Sequence, residues 1–233
     1  MRINAYWSQY SSLVDIYELF SSKCLREKNS RIMQISDVKA GKTADITVKP
    51  LKTISKEDSQ YLASLIRTVP GFPSPNIIFR DFLPIFSSTR GMNILVNSLI
   101  DALPVPVDSF DLVAGLEARG FLFGPLLAAR LGKGFIAVRK AGKLPPDVIS
   151  ESYSLEYGEA KIEIECNLIK PGQRVLIVDD LIATGGTAKA AAKLIERSGG
   201  VVAGFSFVME LTGISGMDDL RSYNCSSLMT MPA

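Results

Sequence analysis

Apolar runs alternate with helical segments in a regular order over the second half of the chain. Four runs consist mostly of apolar and β-branched residues: 110–116, 134–140, 174–180 and 201–211. Such runs are typical of strands that are buried on both faces. Residues 124–132 and 187–200 lie between runs and predict helices that glycine closes. The order predicts an α/β fold with a central, mostly parallel sheet flanked by helices, and ligands in such sheets bind at the carboxyl ends of the strands.

The first half of the chain is less regular. Residues 55–66 predict a helix with Ser55 as its N-cap, and residues 89–103 predict a second helix. Residues 13–20 predict one or two helical turns, and residues 36–50 a turn and a short strand. We find no internal repeat and no low-complexity tract.

Two further segments have patterns of their own. Residues 144–159 form a long, polar stretch with prolines, which predicts an irregular and mobile lid. After it, residues 161–165 alternate like an exposed strand with Ile162 and Ile164 directed inward. Residues 74–82 carry no chemical signature of their own and predict a small strand.

Composition excludes several kinds of site. The chain of 233 residues has no histidine, which removes Ser-His-Asp and Cys-His catalysis and imidazole metal sites. Its three cysteines are scattered, so neither a disulfide framework nor a zinc site is expected. A net charge of +2 gives no case for general nucleic-acid binding, and no apolar run is long enough to predict a membrane span. Proton transfer must fall to Asp, Glu, Lys or Tyr.

Residues 1–50 differ from the rest and are interpreted as an N-terminal extension of unknown role, followed by one domain at 51–233. The extension carries eight basic and five acidic side chains. A cleaved secretory signal needs a continuous apolar core, which these residues lack, and acids at Asp15 and Glu18 disfavour a mitochondrial signal. The sequence leaves open whether the extension directs the protein to an organelle.

The segment "VLIVDDLIATGGT" at 175–187 combines a strand, two acids and a glycine-threonine loop. Glycines let backbone N–H groups approach an anion, and the start of the following helix adds positive potential, so "ATGGT" predicts a phosphate site. A glycine turn with a threonine N-cap is the alternative for this loop taken alone. Asp179 and Asp180 change the balance, because carboxylates accept hydrogen bonds from vicinal hydroxyls and hold magnesium. The combination predicts a ribose 5-phosphate as the ligand.

This segment resembles the binding motif for 5-phosphoribosyl 1-pyrophosphate of the type I phosphoribosyltransferases. Four more segments resemble the adenine phosphoribosyltransferases in particular: "FPSPNIIFRDF", "GLEARGFLFGP", "VRKAGKLPP" and "SYSLEYG". They occur in the family's order and cover about residues 57–220. The resemblance implies the type I phosphoribosyltransferase fold, with a small hood near 70–86 and a mobile lid near 144–161.

The resemblance assigns the parts of the donor to particular residues. For the ribose 5-phosphate it implies Asp179, Asp180, Ala183, Thr184, Gly185, Gly186 and Thr187. For the pyrophosphate it implies Glu117, Ala118, Arg119, Arg139, Lys140 and Lys143, near a peptide that is often cis in this fold. Guanidinium and ammonium groups suit that anion, although a loop arginine or a basic turn is often only solvated. Ala118 replaces a serine of many relatives, which leaves a hydroxyl contact there in doubt.

The resemblance also assigns the base and the proton transfer. Phe79 stacks on adenine, the backbone of Ile78 and Arg80 reads its edge, and Leu211 closes the other face. Arg80 and Asp81 are then interpreted as a structural pair. In the lid, Glu156 matches the glutamate that handles the adenine proton, with Tyr157 beside it; these two are the catalytic candidates. Glu151 and Glu159 are interpreted as solvated acids.

The function implied is magnesium-dependent transfer of a 5-phosphoribosyl group to adenine, giving AMP and pyrophosphate in purine salvage. Asp179 and Asp180 would hold the Mg²⁺, directly or through water. Enzymes for 6-oxopurines generally carry an acid where this chain has Ala183, so a 6-aminopurine is favoured. A sister 6-oxopurine transferase and a non-catalytic regulator that keeps the ribose-phosphate site are the alternatives.

The partners expected are small molecules: adenine, 5-phosphoribosyl 1-pyrophosphate, AMP and pyrophosphate. The resemblance implies a homodimer in the cytoplasm, with no nucleic acid and no membrane as partner.

Overall fold

The computed structural model describes residues 45–51, 54–72, 75, 78–155 and 158–232. These residues include ten strands: β1 (Thr47–Val48), β2 (Arg67–Pro70), β3 (Ile78–Asp81), β4 (Leu112–Leu116), β5 (Gly134–Lys140), β6 (Val148–Leu155), β7 (Gly158–Glu165), β8 (Arg174–Ile182), β9 (Val201–Thr212) and β10 (Cys225–Pro232). The helices are α1 (Lys56–Ser64), α2 (Leu83–Phe86), α3 (Thr89–Asp101), α4 (Gly120–Leu131) and α5 (Gly186–Arg197).

Eight strands form one sheet in the order β1-β10-β9-β8-β4-β5-β7-β6. The five central strands from β10 to β5 run parallel to their neighbours, while β1, β7 and β6 pair antiparallel at the two edges. The predicted α/β fold with a mostly parallel sheet is therefore confirmed. Strands β8, β4 and β5 lie side by side, which brings three of the predicted site segments to one edge of the sheet.

The core lies on both faces of this sheet. Along β8, Leu176 and Val178 pack toward the side of α1, α3 and α4, while Val175 and Ile177 pack toward α5. This alternation is why the strand reads as a continuous apolar run. The alanines of α5 let that helix lie close to the sheet, since Ala188, Ala191 and Ala192 are buried.

The helix predictions hold with small shifts of their ends. Ser55 caps α1, because its hydroxyl oxygen accepts a hydrogen bond from the Asp58 N–H at 3.0 Å. Helix α4 starts at Gly120, four residues before the predicted segment, directly after the "GLEAR" loop. The segment at 13–20 lies outside the described residues, and of 36–50 the structure describes 45–50 with the short strand β1.

Three strands were missed or misjudged from the sequence. Residues 148–155, predicted as irregular, form β6, which pairs with β7 along its whole length. Ile149 and Tyr153 of β6 pack on the core, whereas the residues between them are polar, so an edge strand looked like a polar loop. Strand β10 at the end of the chain and strand β2 of the small sheet were not predicted.

Strands β2 and β3 form a separate two-stranded sheet, the hood, in which Val69 lies opposite Phe79. The predicted pair of Arg80 with Asp81 is wrong. Asp81 accepts a hydrogen bond from Arg67 Nε at 2.9 Å, across the two strands. Arg80 instead contacts the Thr68 hydroxyl and lies 3.9 Å from Asp45, because neighbouring side chains of a strand point to opposite faces.

Within the described part of the chain, the helices are too short or too polar to cross a lipid bilayer.

Candidate active site

Predicted site residues from three segments come together where β8, β4 and β5 end. Asp180 near the end of β8 lies 2.9 Å from Arg119 after β4, measured from Oδ2 to Nε. Glu117, also after β4, lies 3.3 Å from Arg139 of β5, measured from Oε2 to Nε. The ends of three strands that are far apart in sequence thus form one connected polar surface, as we expect for a parallel sheet.

The glycine-threonine loop surrounds a pocket of about 180 Å³. Gly185 has φ of 77°, a left-handed conformation that glycine adopts without strain, and helix α5 begins at Gly186. The N–H groups of the first helical turn have no partner within the helix and lie at its positive end, so this pocket suits an anion. Asp179 and Phe207 line the pocket together with residues 181–188.

Gly216 supports this loop from behind and was not predicted. A Cβ atom built on Gly216 would overlap the carbonyl oxygen of Ala183 and lie 3.0 Å from the nitrogen of Gly185. A Cβ on Gly185 would in turn lie 2.8 Å from the Gly216 carbonyl oxygen. The backbones of Gly216 and of the loop are therefore in direct contact. In the sequence, the second glycine of "GISGM" is the only sign of this contact.

Asp179 and Asp180 are adjacent acids in a confined environment. Asp180 is 5% exposed, and Asp179 accepts a hydrogen bond from the Asp180 N–H at 2.9 Å. Burial and then the nearby Asp180 charge raise the pKa of Asp179 well above its ordinary value. Burial also raises the pKa of Asp180, although the Arg119 guanidinium opposes that rise. A ligand that supplies hydroxyl donors or a cation relieves this repulsion.

Arg119 links the sheet edge to the hood. Its guanidinium contacts Asp180 on one side and lies over the ring of Phe79 on the other, 5.4 Å from the ring centre. Phe72 meets the same ring edge-on at 5.1 Å. Phe79, which is predicted to stack on the base, and Arg119, which is predicted to bind pyrophosphate, are therefore close enough to contact the same small molecule.

Glu117 contacts the basic segment 139–143, which begins at the end of β5. Its carboxylate accepts a hydrogen bond from the Lys140 N–H at 2.9 Å and lies beside Arg139 Nε. Burial opposes ionisation, but the bonds from Lys140 and Arg139 outweigh it and lower the pKa of Glu117. Arg139 also donates to the Lys143 carbonyl at 2.9 Å. The Glu117–Ala118 peptide is cis, in agreement with the resemblance.

The other residues that are predicted to bind the base lie in different environments. Ile78 is exposed on the hood, whereas Arg80 is buried and pairs with Thr68 across the two strands. Burial lowers the pKa of Arg80, and Asp45 partly offsets the effect. Leu211 lies near the end of β9, the strand next to β8, and packs on the core that β8 shares with α4.

The two catalytic candidates, Glu156 and Tyr157, lie outside the described residues. Strands β6 and β7 pair as far as Leu155 and Gly158, which flank them. Glu159 is exposed, as predicted. The prediction that Glu151 is solvated is wrong: its carboxylate lies 2.7 Å from Arg197 and 3.6 Å from Lys193, and its side chain is 16% exposed.

Comparisons with known proteins agree with this arrangement. Residues 106–217 match the family model of the phosphoribosyl transferase domain. The chain is 66% identical to the adenine phosphoribosyltransferase of Bifidobacterium adolescentis over 190 residues, which cover 82% of this chain and 98% of the relative. It is 43% identical to the adenine phosphoribosyltransferase of Thermobifida fusca, with 76% of this chain and 100% of that protein covered.

Solved structures give the same picture. The crystal structure of adenine phosphoribosyltransferase from Thermoanaerobacter pseudethanolicus matches with a TM-score of 0.71 and 45% identity, covering 74% of this chain and 99% of that one. The Saccharomyces cerevisiae enzyme matches with a TM-score of 0.68 and 42% identity, covering 75% of this chain and 99% of that one. That second structure is a complex with adenine and an imino-altritol bisphosphate.

Proposed function

The chain belongs to the adenine phosphoribosyltransferase family, and on that premise we propose that the sheet edge around Asp179, Arg119 and Phe79 transfers a 5-phosphoribosyl group to adenine. The donor is 5-phosphoribosyl 1-pyrophosphate, and the products are AMP and pyrophosphate, a reaction of purine salvage. One observation carries the assignment of the site: Arg119 contacts both Asp180 and Phe79. The groups for ribose, pyrophosphate and base therefore lie in one continuous surface.

Each group of the donor has a matching part of the site. The loop at Thr184–Thr187 offers backbone N–H groups and hydroxyls to the 5′-phosphate. Asp179 and Asp180 accept hydrogen bonds from the ribose hydroxyls, bonds that are stronger because the acceptor is charged. Arg119 is placed to hold two oxygens of the pyrophosphate.

The chain's own cations favour the departure of pyrophosphate. As the bond to the ribose breaks, negative charge grows on the leaving group, and fixed positive groups stabilise that charge more than they stabilise the bound donor. Arg139 and Lys143 lie in the segment that Glu117 orients. Glu156 keeps its role as the group that handles the adenine proton, a proposal that rests on the family resemblance alone.

The donor set at Asp179 and Asp180 fits Mg²⁺ held jointly with the ligand. Among the described residues no group of three or more His, Cys, Asp and Glu side chains forms a protein-only metal site. Magnesium is commonly bound by one or two carboxylates together with phosphate oxygens and water. When bound, the ion would supply positive charge beside the pyrophosphate and the ribose hydroxyls.

The homodimer and the cytoplasmic location are part of the proposal. The family resemblance supports both, and the scattered cysteines fit a reducing compartment. The net charge of +2 gives no case for nucleic acid as a partner, and the partners proposed are small molecules, with no membrane.

Pyrophosphate release with different bases tests the function. With donor and magnesium present, we expect turnover with adenine and a kcat/KM at least about 100-fold lower with hypoxanthine and guanine, since a polar site rejects a base whose hydrogen-bonding edge does not match. Preference for a 6-oxopurine would support the sister transferase. Donor binding without turnover on any base would support the non-catalytic regulator.

Replacing Phe79 by alanine is expected to weaken adenine binding selectively. Stacking of a base on an aromatic ring contributes about 1–3 kcal/mol, so the KM for adenine should rise roughly 5- to 150-fold. The KM for the donor should change much less. Initial rates measured against each substrate give both values.

Leu83→Ala is the control for Phe79→Ala. Leu83 is 57% exposed and directly follows the hood, so its truncation should leave both KM values unchanged. Equal rises in both KM values for Phe79→Ala would contradict the stacking role.

A further inference from the structure

Glu163 is a buried carboxylate that lies outside the residues assigned to the ligand. It is 6% exposed on β7, between Ile162 and Ile164, whose side chains point into the core on the other face of the strand. A carboxylate at such a position loses most of its hydration, a cost that hydrogen bonds must offset. Its partners therefore indicate what the residue does.

Both oxygens of Glu163 are engaged, each by a different segment. Oε2 accepts a hydrogen bond from the Gly142 N–H at 2.9 Å, and Oε1 accepts one from the Ser150 hydroxyl at 3.2 Å. Lys161 lies 3.9 Å away, with a side chain that is 49% exposed. The strongest tie of Glu163 is thus to Gly142, the turn residue of the basic segment 139–143.

That basic segment is held from two sides. On the inner side Glu117 contacts Arg139 and the Lys140 N–H, and Arg139 donates to the Lys143 carbonyl. On the outer side Glu163 holds Gly142, which has φ of 77° and whose neighbours Ala141 and Lys143 are exposed. Without Glu163, the exposed turn would lose its side-chain contact on that side and keep backbone contacts with β7: the bond from Ala141 to Lys161 and the pairing of Arg139 and Lys140.

The same carboxylate connects the turn to the phosphate-loop helix. Ser150, which donates to Glu163, also accepts a hydrogen bond at its carbonyl from Arg197 of α5 at 2.7 Å. A continuous polar path therefore runs from α5 through β6 and Glu163 to Gly142. Arg197 is the last residue of α5, at the opposite end of the helix from the glycine-threonine loop, so the path ties the Gly142 turn to the packed scaffold of the sheet.

We propose that Glu163 is a positioning residue for pyrophosphate: it fixes the Gly142 turn so that Arg139 and Lys143 face the leaving group. The proposal rests on the function proposed above. Because Glu163 is an acid, it would not bind the anion itself. It acts on the anion indirectly, through the turn that it orients. Its effect should therefore appear in the affinity for ligands that contain pyrophosphate and be absent for ligands that lack it.

Glu163→Ala and Glu163→Gln test the proposal together. A hydrogen bond to a charged group contributes enough that Glu163→Ala should weaken pyrophosphate binding and raise the KM for the donor by about 10- to 100-fold. AMP has no pyrophosphate, so its dissociation constant and the KM for adenine should change less than about twofold. Glu163→Gln keeps an oxygen for the Gly142 N–H and should recover part of the loss.

Glu151→Ala is the matched control. Glu151 lies one residue from Ser150 on β6, is also a largely buried acid, and pairs with Arg197 and Lys193 of α5 instead of with the basic segment. Its removal should lower the unfolding temperature and leave the ratio of pyrophosphate to AMP affinity unchanged. Isothermal titration of each folded variant with inorganic pyrophosphate and with AMP gives that ratio without requiring turnover.

The outcomes separate the two proposals. If wild-type protein turns over adenine and both Glu163 variants bind pyrophosphate like wild type, the positioning role is wrong. An equal loss of pyrophosphate and AMP affinity would also overturn it, since that is the result of general destabilisation. If wild-type protein binds pyrophosphate but turns over no base, the proposed function fails while the titrations still test Glu163; should Glu163→Ala not fold, Glu163→Gln decides.

Discussion

Asp179→Asn is expected to stabilise the free protein while removing most of its activity. Asparagine keeps the shape of the side chain but removes one of two adjacent charges near the end of β8. Burial and repulsion from Asp180 raise the pKa of Asp179, so the folded protein gains stability on removing that charge at neutral pH. A gain of about 1 kcal/mol would raise the unfolding midpoint by about 2–4 °C.

The gain in stability has a defined pH dependence. Because the pKa of Asp179 is higher in the folded than in the unfolded protein, protonation favours the folded state at low pH. That contribution is lost as the pH rises through the folded-state pKa. The difference in midpoint between Asp179→Asn and wild type should therefore be small near pH 4 and largest at neutral pH and above, as scanning calorimetry across this range would measure.

The loss of activity has a separate cause. Asparagine offers a weaker acceptor to a ribose hydroxyl and a weaker ligand to Mg²⁺, and bonds to charged groups contribute about 1.5–3 kcal/mol each. With two such contacts affected, we expect kcat/KM for the donor to fall by roughly 10²- to 10⁴-fold. Asp108→Asn, at an exposed acid outside the site, is the control. Wild-type activity in Asp179→Asn would remove Asp179 from the ribose site.

Gly216→Ala is expected to disable the phosphate loop without touching the ligand. The added methyl group would overlap the Ala183 carbonyl oxygen and crowd the Gly185 nitrogen, so the loop backbone must move. A displacement of about 1 Å in a positioning element can cost about 100-fold in rate, and we expect a loss of at least that size in kcat/KM for the donor. The dissociation constant of inorganic pyrophosphate, which has no 5′-phosphate, should change little.

Gly213→Ala separates this effect from backbone strain. Gly213 has φ of 91° and lies in the loop after β9 that also contains Gly216, but a Cβ on Gly213 would meet nothing within 4 Å. Alanine at 213 should therefore lower stability and leave donor kinetics near wild type. If Gly216→Ala and Gly213→Ala show the same kinetics, contact with the phosphate loop is not what Gly216 provides.

Local pattern was sufficient for the strand, the glycine turn and the helix start at 174–187, and insufficient for the contacts that support them. "DDLIATGGT" carries its chemistry in consecutive residues, so the strand, the acids and the helix start follow from order alone. Gly216 and Glu163 act through contacts with residues about 20 to 30 positions away, and no periodicity marks them. The Arg67–Asp81 pair was missed for the same reason, because it depends on the pairing of β2 with β3.

The strands of the sheet also divide into those that the sequence pattern predicts and those that it does not. Buried parallel strands such as β5 are continuous apolar runs, and its predicted bounds agree with the structure. Edge strands need only one apolar face, and β6 is rich in serine on the other, so it was taken for a loop. Which strands are neighbours is a tertiary property that the sequence pattern leaves open.

The position of β10 determines when the sheet can assemble during synthesis. It occupies residues 225–232, yet it lies inside the sheet, between β9 and β1. Strand β1, at residues 47–48, pairs with β10 and, among the strands that the structure describes, with no other. During synthesis, β1 has no partner strand until β10 has been made. The sheet is complete only after residue 232 has been added, and until then the edge of β9 is open to pairing with other chains.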